Sequence, residues 1–187
     1  PQSRRKPTQA ADPYAPQGLR LGSLTVFPTL EMGVAATSNA GGKTSDTKAD
    51  AGLLLKPGLE VESDWSRHQF SASVSGEVVR YLSVDELSTY GADAQAKLRL
   101  DVRHGTQLEI ENGYTLTSTG SASSEVPDTA VGNRLSHLLR AGVAVDHEAG
   151  VADLRLGTAL RREFFEDVKL SGGGSEDNSD RDFTEYG

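Results

Sequence analysis

SDWSRHQFSASVSGEVVRYL, residues 63–82, alternates from Phe70 onward. Phe70, Ala72, Val74, Gly76 and Val78 are apolar or small, while Gln69, Ser71, Ser73, Ser75 and Glu77 are polar. Successive side chains of an extended chain point to opposite faces, so this period predicts a β-strand with one dry face and one wet face. What each face meets is the question that decides the fold.

The pattern recurs along the chain. Residues 21–36 place Leu24, Val26, Pro28, Leu30, Met32 and Val34 on one face, and residues 49–63 do the same with Ala51, Leu53, Leu55, Leu59 and Val61. Residues 89–103 are the cleanest copy, with Tyr90, Ala92, Ala94, Ala96, Leu98, Leu100 and Val102 against Asp93, Gln95, Lys97, Arg99, Asp101 and Arg103. Further copies cover 106–119, 134–147 and 151–166, and an eighth begins at Phe183. Three links are short: Asp64-Trp65-Ser66-Arg67, Arg103-His104-Gly105, and residues 146–150. Others are long and rich in Gly, Ser, Asn and Asp, as in TSNAGGKTSDTK and LSGGGSEDNSDRD. This predicts an all-β, antiparallel up-and-down meander of about eight long strands, with short turns at one end and long loops at the other.

Strand length bears on the two faces. A soluble half-buried strand has about 5 or 6 residues, and crossing a bilayer takes about 9 to 11 tilted ones. Here alternation persists through segments such as 89–103. The polar faces carry charges that a dry core would not accept without pairing. In a transmembrane β-barrel the apolar face meets lipid and the polar face lines a wet lumen. Glu77, Asp93, Lys97, Arg99, Glu109, Arg140 and Arg155 are therefore the expected lumen-lining residues. Trp65 and Phe70 beside a short turn, and Tyr90, Tyr114 and Phe164 toward the long loops, fit two interfacial girdles.

Composition agrees with an inside-out protein. Of 187 residues only 36% are hydrophobic and 6% aromatic, which is thin for a soluble core. A net charge of -8 argues against a nucleic-acid footprint, and the absence of cysteine removes disulfides and thiolate metal sites. Residues 1–18, with Arg4-Arg5-Lys6, read as a flexible leader, leaving 19–187 as the barrel domain. Arg80, Arg162 and His137 fall on the apolar face, and Leu54, Val79, Leu138 and Phe165 on the polar one. If the first hairpin pairs Ala36 with Ala49, Pro28 and Pro57 face each other and the lost ladder bonds share one rung.

The segments DPYAPQGLRLGSLTVFPTLEMGVAATSNA, ESDWSRHQFSASVSGEV, LDVRHGTQLEIENGY and LSGGGSEDNSDRDFTEYG resemble those of proteobacterial outer-membrane β-barrel proteins known as beta-barrel porin type 2. The likeness runs from Asp12 to Gly187. It implies a bacterial outer-membrane barrel with a porin role and no catalytic residues. Members of the family are longer, so the chain looks like the N-terminal half of a barrel, and closure from these residues alone is not expected.

No chemical motif competes with this reading. His68, His104, His137 and His147 lack metal-ligand spacing, and LSGGGS at 170–175 reads as a flexible loop rather than a phosphate cradle. EDNSDRD at 176–182 has alternate acidic positions but lacks the central Gly and correctly placed Glu of a calcium loop, so it reads as a solvated acidic loop. No enzyme activity, catalytic residue, metal or cofactor is expected. The expected partners are outer-membrane lipid and small hydrophilic solutes, and a homo-oligomer is compatible with them. The alternative is a soluble or surface β-sandwich, adhesin-like, with two sheets burying their apolar faces against each other.

Overall fold

The structure is a computed structural model and describes residues 16–40, 49–120 and 129–187. Residues 1–15 of the expected leader, including the basic cluster, lie outside them. Strands are numbered in chain order. They are β1 (Leu19–Leu21), β2 (Leu24–Thr37), β3 (Asp50–Ser63), β4 (Gln69–Tyr81), β5 (Thr89–Arg103), β6 (Thr106–Thr119), β7 (Ala130–Val131), β8 (Arg134–Ala149), β9 (Ala152–Phe165), β10 (Val168–Leu170), β11 (Ser175–Glu176) and β12 (Phe183–Tyr186). The seven long ones coincide with the alternating segments, and β12 is the expected eighth. Among the described residues the helical segments are single 3-10 turns at Asp85–Leu87 and Ser179–Arg181.

One antiparallel sheet runs β1-β2-β3-β4-β5-β6-β8-β9-β12, and β11-β10-β7 form a small second sheet. Apart from β7, β10 and β11, each strand lies beside its neighbours in sequence, as the short links require. Within the described residues the outer edges of the large sheet are not paired to one another.

Register keeps apolar residues opposite apolar residues. Leu98 faces Ile110 and Leu100 faces Leu108 across β5 and β6. A shift of one residue would exchange the faces of a whole strand, which is why the pattern specifies this pairing so tightly. The first hairpin is the correction. Ala36 pairs with Ala51 rather than Ala49, so Pro28 faces Leu59 and Pro57 faces Leu30. A slip of two residues preserves both faces, so alternation alone cannot fix it. The turns are also tighter than expected. β8 continues to Ala149 and pairs with Ala152, so the link is residues 150–151, not 146–150. Gly150 and Gly105 take φ of 67° and 72°, a left-handed geometry suited to two-residue hairpins.

The off-pattern residues hold the positions that parity assigns them, and the three polar ones on the apolar face have partners. His137 stacks on Phe164 with ring centroids 4.5 Å apart. Its Nδ1 lies 2.9 Å from Tyr114 Oη, and its Nε2 lies 3.0 Å from Glu166 Oε1. Arg80 reaches Asp85 at 3.7 Å, and Arg162 lies over the Phe164 ring at 5.9 Å. Nothing in the structure explains Asn112, which lies on the apolar face between Ala96 and Ala141.

The two faces differ in curvature. Met32, Val34 and Leu156 on the apolar face are 74%, 76% and 79% exposed. A hollow lined by polar-face residues from β3 to β12 makes the apolar face the convex one. Among the described residues the buried hydrophobics are Ala40 and Val168 alone, neither of them mid-sheet. The two sheets of the sandwich alternative are not what the chain adopts, because the second sheet comprises only β7, β10 and β11.

The long-loop end carries the tightest local packing. Asn178 is buried and donates to the carbonyl of Glu166, while Asn133 donates to the Ser88 carbonyl and Ser118 Oγ. LSGGGS forms the turn of the β10–β11 hairpin: Leu170 N–H donates to the Gly174 carbonyl, and Gly173 and Gly174 have φ of 86° and 92°. The aspartates of the acidic loop are exposed, as expected, and two of them also accept from backbone N–H groups. Asp177 accepts from Ser179 N–H at 2.8 Å, which holds its carboxyl below the usual range, and Asp182 accepts from Phe165 N–H. These carboxylates serve the backbone, and no calcium cluster forms among the described residues.

Asp50 is the anchor of the β4–β5 link. Its carboxylate accepts from the backbone N–H groups of Ala51, Ser83 and Val84 at 2.8, 3.1 and 2.9 Å. Hydrogen bonds to a charged group contribute about 1.5 to 3 kcal/mol each in favourable cases, and burial orphans the donors when it is lost. Asp50→Ala is expected to destabilise the fold by about 2 kcal/mol, read by urea unfolding of lipid-refolded protein through its single tryptophan, Trp65. Asp50→Asn should lose less, and wild-type stability in the Ala variant would contradict the role.

Candidate functional site

The concave face is assembled by parity, one residue in two from every long strand. Its middle rung runs Glu60, Ser73, Gln95, Gly113, Arg140, Arg161 and Glu185, each opposite the next from β3 to β12. The adjoining rung runs Glu62, Ser71, Lys97, Glu111, Gly142 and Ala159. Residues of both rungs line a hollow of about 760 Å³ that reaches from Glu60 on β3 to Glu185 on β12. A single hollow touched by strands so far apart in the sheet requires the sheet to curl with its polar face inward.

All seven expected lumen residues fall on this face, and the structure ties most of them together. Lys97 Nζ lies 2.7 Å from Glu111 and 3.6 Å from Glu109. Glu109 also meets Arg155 at 2.8 Å, and Arg155 meets Asp146 at 2.9 Å. Asp93 accepts from Thr115 and Gln95 at 2.8 Å, with Arg140 3.8 Å away. Glu77 sits apart from this network, paired with Lys56 at 2.7 Å. Arg99 makes a loose contact with Asp101 at 3.8 Å, and its Nε has no hydrogen-bond partner. Exposed ion pairs contribute about 0 to 1 kcal/mol each, so the ladder sets the charge pattern of the wall more than its stability.

Sequence reasoning missed Arg161, Glu163, Asp146 and Glu185. β9 was legible through Leu154, Leu156 and Leu160, and its opposite parity held the signal for Arg161 and Glu163. Among the described residues no cation lies within ion-pair reach of Glu60 or Glu62, so the β3 wall carries unmatched negative charge.

At the turn end Trp65 Nε1 donates to Ser23 Oγ at 2.9 Å, and its ring lies 6.3 Å from Phe70. Tyr114, His137 and Phe164 form a second aromatic group nearer the loops. An apolar convex band between two aromatic levels, backed by a charged concave wall, is the pattern of a membrane β-barrel. The family model described as Putative beta-barrel porin 2 matches residues 12–187. The chain belongs to that family. No curated protein and no solved structure matches it. Family and fold agree on a β-barrel wall, and no helix among the described residues is long and apolar enough to cross a membrane, a fact with no bearing on strands.

Proposed function

We propose that this member of the family forms the wall of a non-catalytic porin in the bacterial outer membrane, through which small hydrophilic solutes diffuse passively. The observation that carries the reading is the division of the sheet into an exposed apolar convex face and a charged concave face around a hollow of about 760 Å³. A 14-residue strand such as β2 or β3 at about 3.3 Å per residue reaches about 46 Å, or about 33 Å of thickness when tilted by about 45°. That exceeds the apolar band of about 25 Å of such barrels.

Glu77, Asp93, Lys97, Arg99, Glu109, Arg140 and Arg155 line the passage on this reading, and outer-membrane lipid contacts the convex face. Most wall charges are matched in pairs, and the unmatched Glu60 and Glu62 lend a mild cation preference. Full-length protein in a planar bilayer is expected to give open channels with weak cation selectivity. A protein that inserts without conducting, or that strongly prefers anions, would overturn the reading.

A further inference from the structure

Glycine inside a strand is unfavourable, because it packs no side chain and loses more conformational freedom on folding than any other residue. Gly113 nevertheless sits in the interior of β6, on the middle rung of the concave face between Gln95 and Arg140. The space of its missing side chain is taken by Arg140. A Cβ at Gly113 would lie 3.3 Å from Arg140 Nε, 3.7 Å from its Cβ and 3.8 Å from its Nη2. Among the described glycines it is the one with a guanidinium in that space.

Arg140 therefore lies along the wall, over β6 and toward β5. Its Nη2 donates to Thr115 Oγ1 at 3.1 Å and lies 3.8 Å from Asp93 Oδ2. The Thr115 hydroxyl in turn donates to Asp93 Oδ2 at 2.8 Å, and Gln95 Nε2 donates to the other carboxylate oxygen at 2.8 Å. Asp93 is thus fixed on both oxygens, and its charge faces that of an arginine two strands along the sheet. Gln95, Gly113 and Arg140 all line the hollow. Side chains of a strand otherwise stand roughly perpendicular to the sheet, so a filled position 113 would turn the guanidinium from the wall into that hollow.

We infer that Gly113 is a selectivity-determining position of the passage, because its bare backbone lets Arg140 lie flat against the wall beside Asp93. Lying flat, the guanidinium takes up little of the bore, and the carboxylate beside it cancels most of its field. Standing upright, it would narrow the hollow and attract anions. Glu60, on the same rung, then acts on passing ions without an opposing cation in the bore. The inference rests on the porin reading in taking the hollow as the solute path, and it adds the residue that keeps a wall cation out of that path.

The test is a double-mutant cycle on full-length protein, read as urea unfolding in lipid vesicles and as reversal potential in planar bilayers. Gly113→Val fills the space, and valine suits a strand, so heat-modifiable migration should be kept. With Arg140 present it is expected to lower the conductance and to reduce the ratio of cation to anion permeability by about two-fold at low salt. In the Arg140→Gln background it should leave that ratio unchanged, and the two substitutions should be non-additive in stability. Thr115→Val removes the hydroxyl that holds the guanidinium while Gly113 stays in place, and it should move the ratio the same way by less. An equal shift in both backgrounds, no shift from Gly113→Val and Thr115→Val alike, or additive unfolding energies would overturn the inference. A non-additive cycle in a protein that carries no current would instead overturn the porin reading and leave the contact standing.

Discussion

Val143→Arg is expected to destabilise the folded protein in lipid by about 2 to 4 kcal/mol, the cost of a basic residue on the lipid face of a barrel near the midplane. Val143 lies on the convex face opposite Ile110 and Thr158, near the middle of β8, and is 44% exposed. Ser73→Arg places the same side chain on the concave face, between Glu60 and Gln95, and is expected to change stability by less than about 0.5 kcal/mol, as for surface substitutions generally. Urea titration in lipid vesicles, followed by Trp65, gives both values. In a protein whose convex face met water, both substitutions would be nearly neutral, and the contrast between them would vanish.

Reversing the unmatched carboxylates should invert the selectivity of the passage. A unit charge about 7 Å from an ion in water-like surroundings contributes about 0.6 kcal/mol, close to thermal energy. Glu60→Lys changes the local charge by two units, so the ratio of cation to anion permeability should fall several-fold at low salt, and less at high salt where screening shortens the reach. Glu60→Lys with Glu62→Lys should carry the reversal potential to the anion side. Glu77→Lys should also move it toward anions while leaving Lys56 without its 2.7 Å partner. Reversal potentials under a salt gradient measure the shift, and selectivity unchanged by the double reversal would place these carboxylates outside the conducting path.

The extent to which the fold was legible follows from the physics of alternation. A period of two is local, so every long strand could be read from its own residues, and β5 and β6 could be registered because a short link and matched apolar faces leave one pairing, which a bulge between Asp101 and Arg103 reconciles with the tighter turn. The β2–β3 link is longer, and pairing Ala36 with Ala49 or with Ala51 satisfies the same faces, so sequence reasoning chose the wrong rung. The loop end was hardest to read. Val168, Asn178 and Arg134 are buried there through contacts between segments distant in sequence, and polar residues that look solvated, such as Asp50 and Asp182, are consumed by backbone N–H groups of other segments. Parity placed the seven wall residues on one face, but their partners depended on which rungs align, information that enters only with the register. Arg161 shows the limit: its parity was readable, yet its position opposite Arg140 was not.

The central claim is that the apolar face of this sheet meets lipid and the polar face meets water. The chain has no cysteine, so single-cysteine variants carry one spin label each. Labels at positions 74, 98, 143 and 156 on the convex face, and at 73, 97, 140 and 155 on the concave face, should be probed in lipid vesicles with oxygen and with a water-soluble nickel chelate. The first set is expected to respond to oxygen and the second to the chelate, alternating residue by residue along β4, β5, β8 and β9. Equal responses from the two sets, or chelate access to positions 98 and 143, would contradict it.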